Sequence, residues 1–311
     1  MEKTLLCDVE GILIVVGGPT AVGKTAVSIE LAEWLGTEII SADSRQCYRE
    51  MTIGTAKPTA EELDRVKHHF IDSHSISETF SAGDFSREAG QRLAELDKKY
   101  PVVITTGGSG LYLDAFINGI SEIPEVDPAL RESLNKKAAS EGIGKLAEEL
   151  EKFDPVYVRN ADMKNPQRVI RALEVCLQTG KPFSEYRNRP KKGGLNRKVV
   201  ALGLDADRSW LYDRINRRVE HMVRKGLFDE ARGLYAYRDH YALKTVGYQE
   251  IFEYMDGNYS QQEAIEQIQQ NSRRYAKRQL TWFRKFKGME WFHPGNLEGI
   301  RNYVTQVTGL S

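Results

Sequence analysis

The chain has 311 residues, 41% of them apolar and 28% charged, and its 44 basic residues cancel its 44 acidic ones. That length allows about two domains with a buried core, and the composition is that of an ordinary globular protein rather than a disordered one. No stretch approaches the roughly 18 apolar residues of a membrane-spanning helix, so the membrane is not expected as its site of action.

Asp8 and Glu10 precede only a short apolar run, unlike a secretory leader. Cys7, Cys47 and Cys176 are odd in number and too far apart for a metal pair, which fits a reducing compartment and points to the cytoplasm. Leu13 to Val16 form a continuous apolar run that predicts a strand, and Ala26 to Leu35 predict a helix ending at Gly36. Between them Gly18, Pro19, Thr20, Ala21, Val22, Gly23, Lys24 and Thr25 complete a phosphate loop of the kind found in nucleotide-binding proteins. Its glycines let backbone amides curl around an anion and the helix start adds positive potential. Lys24 adds a point charge, and Thr25 a hydroxyl for magnesium.

Further strands are expected at Glu38 to Ser41, Pro101 to Thr105, Lys198 to Leu204 and Met289 to Phe292, separated by helical patterns. This alternation predicts an α/β fold, a P-loop NTPase-like parallel sheet flanked by helices. Pro128 to Gly180 read as helical throughout, too long for a crossover, so an all-helical domain is expected over 121–197. It would be inserted between a first core part, 1–120, and a return to the core, 198–311, helical from Ser209 to Lys287 with a basic helix as the last one. Lys181 to Asn196, rich in Pro, Gly and cations, reads as a loop.

Asp43 ends the second strand, on the rim where open α/β sheets bind ligands. A carboxylate there can take a proton or hold magnesium, or else cap a turn. Thr105 to Tyr112, with Gly107, Gly108 and Gly110, end at the same rim. No acidic residue follows Val102, Val103 and Ile104, which disfavours ATP hydrolysis as the main activity. His68, His69, Asp72 and His74 are the only dense group of metal-ligand types and read instead as an edge strand entering a loop. Gln167, Arg168 and Arg171 share one side of a helix start whose Val169 and Leu173 face a core. Arg214 and Arg218 stand one turn apart, placed to neutralise an anion.

Charge is unevenly distributed. Six basic and no acidic residues lie between Arg187 and Lys198, and seven with none between Asn271 and Lys287. On the helix expected there, Ile268, Tyr275, Trp282 and Phe286 form one stripe. Arg274, Arg278 and Lys285 form another, suited to a nucleic-acid backbone.

GPTAVGKT, SADSRQCY, IGTAKPT, HHFID, GGSGLY, NPQRVIRALEV, TVGYQE and AKRQLTWFR occur in this order along nearly the whole chain. The set closely resembles the bacterial tRNA dimethylallyltransferases. The resemblance implies transfer of a dimethylallyl group from its diphosphate to the exocyclic amine of the adenine just 3′ of the anticodon, in tRNAs reading codons that begin with U. It implies Asp43 as general base and Thr20 near the bridging oxygen. Lys24, Thr25 with magnesium, Arg214 and Arg218 would meet the diphosphate. Asp43, Ser44, Arg45, Gln46, Ser109 and the segment Gln167, Arg168, Val169, Ile170, Arg171 would contact the tRNA anticodon stem-loop, joined by Arg274 and Arg278. Ser109 stands where the family more often has threonine, keeping the hydroxyl. A monomer without an obligate protein partner is expected. Two other enzyme readings share the loop and the strand-end aspartate: a small-molecule or nucleoside kinase, and prenyl transfer to free adenine nucleotide. A non-catalytic RNA-binding protein with a nucleotide switch is the reading of another class.

Overall fold

A computed structural model describes residues 11–310, so Cys7, Asp8 and Glu10 lie outside the described residues. It divides into two compact units. One runs to Ile117 and resumes at Leu195, and the other comprises Asn118–Gly194. The division falls three residues before the expected 121–197 at each end. The backbone explains the shift, because the Leu195 N–H donates to the Ile117 carbonyl at 2.9 Å and closes the larger unit on itself.

In the larger unit the elements are β1 (Ile12–Gly17), α1 (Lys24–Leu35), β2 (Ile39–Ser41), α2 (Ala60–Arg65), β3 (His68–His69), α3 (Ala82–Leu96), β4 (Val102–Gly107) and α4 (Gly110–Asn118). The smaller unit holds α5 (Pro128–Glu141), α6 (Ile143–Phe153), α7 (Pro155–Asn160), α8 (Pro166–Thr179) and α9 (Phe183–Arg187). The chain returns through β5 (Val199–Leu204), α10 (Arg208–Arg224), α11 (Leu227–Leu234), α12 (Gln249–Met255), α13 (Gln261–Phe283), β6 (Met289–Phe292) and α14 (Leu297–Thr308). Six parallel strands form one sheet in the order β3-β2-β4-β1-β5-β6. Central β1 is buried along its whole length, which is why its sequence is a continuous apolar run rather than an alternating one.

Register places the strand ends level. Gly17 lies opposite Gly107 and Gly203, and Ser41 opposite Thr106. The phosphate loop, the turn at Asp43 and the glycine loop after β4 therefore leave the sheet side by side. The backbones approach so closely that a Cβ on Gly107 would stand 2.2 Å from the Ala42 carbonyl oxygen. Helix α13 then crosses this rim, and added Cβ atoms on Gly17, Gly108 and Gly110 would strike Phe283, Gln279 and Trp282 at 2.5, 2.2 and 2.2 Å.

Three expectations need correction. The segment Lys181 to Asn196 contains α9, because Phe183 and Tyr186 are buried in the smaller unit's core. The basic helix α13 is not the last one, and it stops at Phe283, leaving Lys285 and Phe286 beyond it. The C-terminal helix is α14, an amphipathic segment that buries Ile300 and Val304. Short 3₁₀ turns at Tyr235–Tyr237 and Tyr241–Leu243 also break the helical run from Ser209 to Lys287. Among the described residues no helix is long and apolar enough to cross a membrane.

The glycines give a paired test of this packing. Gly107→Ala is expected to destabilise the protein by about 1–3 kcal/mol, since backbone must move. Gly90→Ala, in α3 with nothing within 4 Å of the added carbon, should stabilise it by about 0.5–1 kcal/mol. Urea unfolding midpoints at equal m-value read both.

Candidate active site

At the rim, the larger unit encloses a cavity of about 900 Å³ lined by the phosphate loop, the turn at Asp43, residues 54–56 and side chains of α10 and α13. The loop takes its shape from three positive-φ backbone positions, Gly18 at φ +150°, Ala21 at φ +63° and Gly23 at φ +111°. Gly18 also has no room for a side chain, because an added Cβ would stand 2.7 Å from the Leu204 carbonyl oxygen. Val22 is buried beneath, and Gly23, left-handed, caps α1.

Lys24 bends back, its Nζ donating to the Gly18 and Pro19 carbonyls at 3.0 and 2.7 Å. Burial drives its pKa down from 10.5 to about 7. The charge of Asp43 opposes that shift, and Arg218 adds to it. Arg218 is itself lowered by burial, again opposed by Asp43 and reinforced by Arg214. Arg214 donates from Nε to the Ala21 carbonyl at 2.8 Å, and its guanidinium lies 4.7 Å from the Trp210 ring centre. Lys24, Arg214 and Arg218 thus line the cavity around Asp43, and with Arg45, Arg217, Lys244 and Arg278 the lining cations outnumber its two carboxylates, Asp43 and Glu62. Such an arrangement is electrostatically short of negative charge and suits a polyanion.

The geometry of Asp43 leaves both readings of a strand-end aspartate open. Its Oδ1 accepts from the Arg45 and Gln46 N–H groups at 2.9 and 3.3 Å and so caps the turn. The other oxygen takes no protein donor among the described residues, and Asp43 lines the cavity. Ser109 Oγ accepts from the Ser44 N–H at 3.0 Å and lies 3.1 Å from the Ser44 hydroxyl. Gln46 donates from Nε2 to the Thr55 and Ala56 carbonyls at 3.2 and 3.0 Å. The Arg45 guanidinium lies 4.9 Å from the Tyr241 ring centre.

Sequence reasoning missed Gln279, which is 6% exposed. Its Oε1 accepts from the Thr20 N–H at 2.8 Å and its Nε2 donates to the Gly108 carbonyl at 2.9 Å, bridging the two loops with one amide. Tyr275, one turn before it, lines the cavity. Burial and the charge of Asp43 push its hydroxyl up to about 12. The signal for both was present, since 275, 279 and 282 share a helical face, but Gln279 carries no charge or aromatic ring to draw notice.

Other expected site residues are elsewhere. Arg278 lines the cavity, whereas Arg274 is exposed on α13 and donates to Asn271 at 3.2 Å. In the smaller unit Gln167 and Arg168 are exposed at the start of α8. Val169 and Ile170 are buried in that unit's core, so their side chains present no surface to RNA, contrary to expectation. Arg171 is engaged as well, donating at 2.7 Å to fully buried Glu174, which Arg131 also grips. The histidine group disperses into separate contacts. His69 bonds Glu38 at 2.6 Å, Asp72 pairs with Lys57, and His74 stacks on Phe80.

The family model described as IPP transferase matches residues 46–286. The chain belongs to the IPP transferase family. A tRNA dimethylallyltransferase of Christiangramia forsetii is 49% identical over 293 residues, covering 94% of this chain and 97% of its own. The crystal structure of the full-length tRNA isopentenylpyrophosphate transferase from Bacillus halodurans is similar at a TM-score of 0.70, with 41% identity and 96% of each chain covered. A eukaryotic dimethylallyltransferase acting on tRNA, 24% identical, covers 97% of this chain and 80% of its own at a TM-score of 0.79 and shares the fold.

In this IPP transferase the lowered pKa of Lys24 sets a pH dependence. With a folded-state value near 7 against 10.5, the empty protein holds fewer protons than the unfolded chain between those values, so its stability rises with pH across that window. A bound anion restores the charge. Pyrophosphate binding at pH 8 should therefore take up about one proton more in the wild type than in Lys24→Gln. Calorimetry in buffers of different ionisation enthalpy reads that difference.

Proposed function

We propose that this IPP transferase moves a dimethylallyl group from dimethylallyl diphosphate to the exocyclic amine of an adenine in tRNA, the one 3′-adjacent to the anticodon in tRNAs reading codons that begin with U. The observation that carries the reading is the cavity itself, where Lys24, Arg214 and Arg218 gather around Asp43 beside a phosphate loop. The phosphate loop holds the leaving group. Thr20 meets the bridging oxygen, while Lys24, Arg214 and Arg218 absorb the charge that grows as the carbon–oxygen bond breaks.

Adenine's amine is a weak nucleophile because its lone pair is delocalised into the ring. Its nitrogen attacks the allylic carbon, diphosphate departs, and the amine proton passes to the free oxygen of Asp43. The base must leave its stack to reach the cavity. Ser44, Arg45, Gln46 and Ser109 then hold it, while Gln167 and Arg168 in the smaller unit, and Arg274 and Arg278 on α13, contact the anticodon stem-loop.

Magnesium is the cofactor this reading implies, and the donor set fits it. Among the described residues no three acidic, His or Cys side chains converge on a metal site. Magnesium beside a diphosphate needs few protein ligands, and Thr25 in the cavity offers one hydroxyl. Bound there, it would spread the charge of the leaving diphosphate. The enzyme acts as a cytoplasmic monomer, in the compartment that holds its tRNA.

The test is the nucleoside mass after incubation with magnesium and dimethylallyl diphosphate, using unmodified tRNA in one tube and AMP in another. ATP replaces the donor in a third. A gain of one dimethylallyl group in tRNA alone is expected, whereas ATP consumption with a small acceptor would replace this reading by a kinase. Asp43→Asn should slow transfer at least about a hundredfold while leaving tRNA affinity within about twofold. Charge reversal at Arg274 and Arg278 should lower the dependence of log affinity on log salt by about 0.7–0.9 per lost phosphate contact. A slope unchanged from wild type would place the RNA backbone on another surface.

A further inference from the structure

Two sequence motifs have no part in the chemistry above, Ile53 to Pro58 in the loop after β2 and Thr245 to Glu250 before and in α12. They meet at one carboxylate. Glu230 on α11 accepts through Oε2 from the Thr52 and Ile53 N–H groups at 3.0 and 2.7 Å. Through Oε1 it accepts from the Gly54 N–H at 2.9 Å and the Tyr248 hydroxyl at 2.7 Å. Four donors satisfy it without an ion pair among the described residues. Gly54 lies flat against the buried Tyr248 ring, where an added Cβ would come within 2.6 Å. From the other end of the loop Lys57 donates to the Tyr48 and Arg49 carbonyls at 2.6 and 3.3 Å.

The loop is thus gripped by its amides on one side, and its next two carbonyls are spent on Gln46. Thr55 and Ala56 both accept from Gln46 Nε2, and Ala56 holds φ +47° to do so. Two acceptors at one nitrogen leave the amide a single orientation. Its Oε1 is then the end without a protein donor among the described residues, on a side chain that lines the cavity beside Asp43. An oxygen so fixed accepts from an exocyclic amine and repels a carbonyl.

We propose that Glu230 is a positioning residue for transfer. Acting through residues 52–56, it fixes the Gln46 amide with its oxygen free, so that the cavity selects a base bearing an amine at the reacting position. The inference rests on the function proposed above.

A double-mutant cycle tests it. Glu230→Gln keeps the size but turns an amide donor toward the loop's own donors. It should lower kcat for tRNA about tenfold while KM for dimethylallyl diphosphate stays within about twofold. If Glu230 acts through Gln46, the double variant with Gln46→Ala is no slower than Gln46→Ala alone. Losses that multiply would overturn the proposal, because a merely structural role adds to any other defect. Should Glu230→Gln fail to fold, Tyr248→Phe removes one of the four donors and keeps the ring, and the same cycle applies to it. An inactive wild-type chain would overturn the functional reading instead. The link is then read from hydrogen exchange of the Gln46 side-chain amide, and equal protection in wild type and variant would overturn it.

Discussion

The site depends on the approach of α13 to bare backbone at the rim of the sheet. Gly17, Gly108 and Gly110 present no side chains, and Phe283, Gln279 and Trp282 occupy the space their Cβ atoms would need. One group then ties the two loops together. A carboxamide offers a donor and an acceptor on one rigid plane, so Gln279 can satisfy the Thr20 N–H and the Gly108 carbonyl at once. Both partners are backbone groups that leave their strands without a ladder partner, and an unpaired buried amide costs about 1–3 kcal/mol. The helix therefore fixes the spacing between phosphate loop and glycine loop, and with it the width of the cavity.

Electrostatics works against this packing. Lys24 and Arg218 are both driven toward the neutral form by burial, and Asp43 only partly compensates. Cations held in poor solvent cost stability, and a bound polyanion would relieve that cost. In the proposed reaction such binding energy would be strongest where charge builds on the leaving group, because the cations are already in place and need no reorganisation. The smaller unit resolves a similar problem in the opposite way. Glu174 is fully buried, and Arg131 and Arg171 close on it, so the pair is locked as structure.

That contrast marks the boundary of what residue pattern can show. Arg171 and Arg214 look alike in sequence, each one element of a basic helical face. Their partners lie three residues away in one case and 193 in the other, where Arg214 meets Ala21. The pattern puts Val169 both on a core-facing stripe and in a segment expected to meet tRNA, and packing in α8 turns its side chain to the core. The end of the chain shows the reverse failure. Leu297 to Thr308 carry an amphipathic pattern without any motif, and α14 completes a face of the sheet by burying Ile300 and Val304.

The sequence by itself determined the elements whose signals are local. The phosphate loop lies between a continuous apolar run and a helix closed by Gly36, and the strands before Asp43 and Gly107 needed only neighbouring residues to be recognised. It also carried the ordered motifs that identify the family, because those are properties of the chain as written. Tertiary structure alone decided which atoms meet. It gave Asp43 one oxygen for its turn and left the other for the cavity, and it turned Gln46 by two carbonyls of a loop held from α11. It also set Gln279 between loops 171 and 259 residues away. Hydrogen bonds and charge interactions act over a few ångströms of space whatever the separation along the chain, so their partners exist only once the sheet has brought its strand ends level.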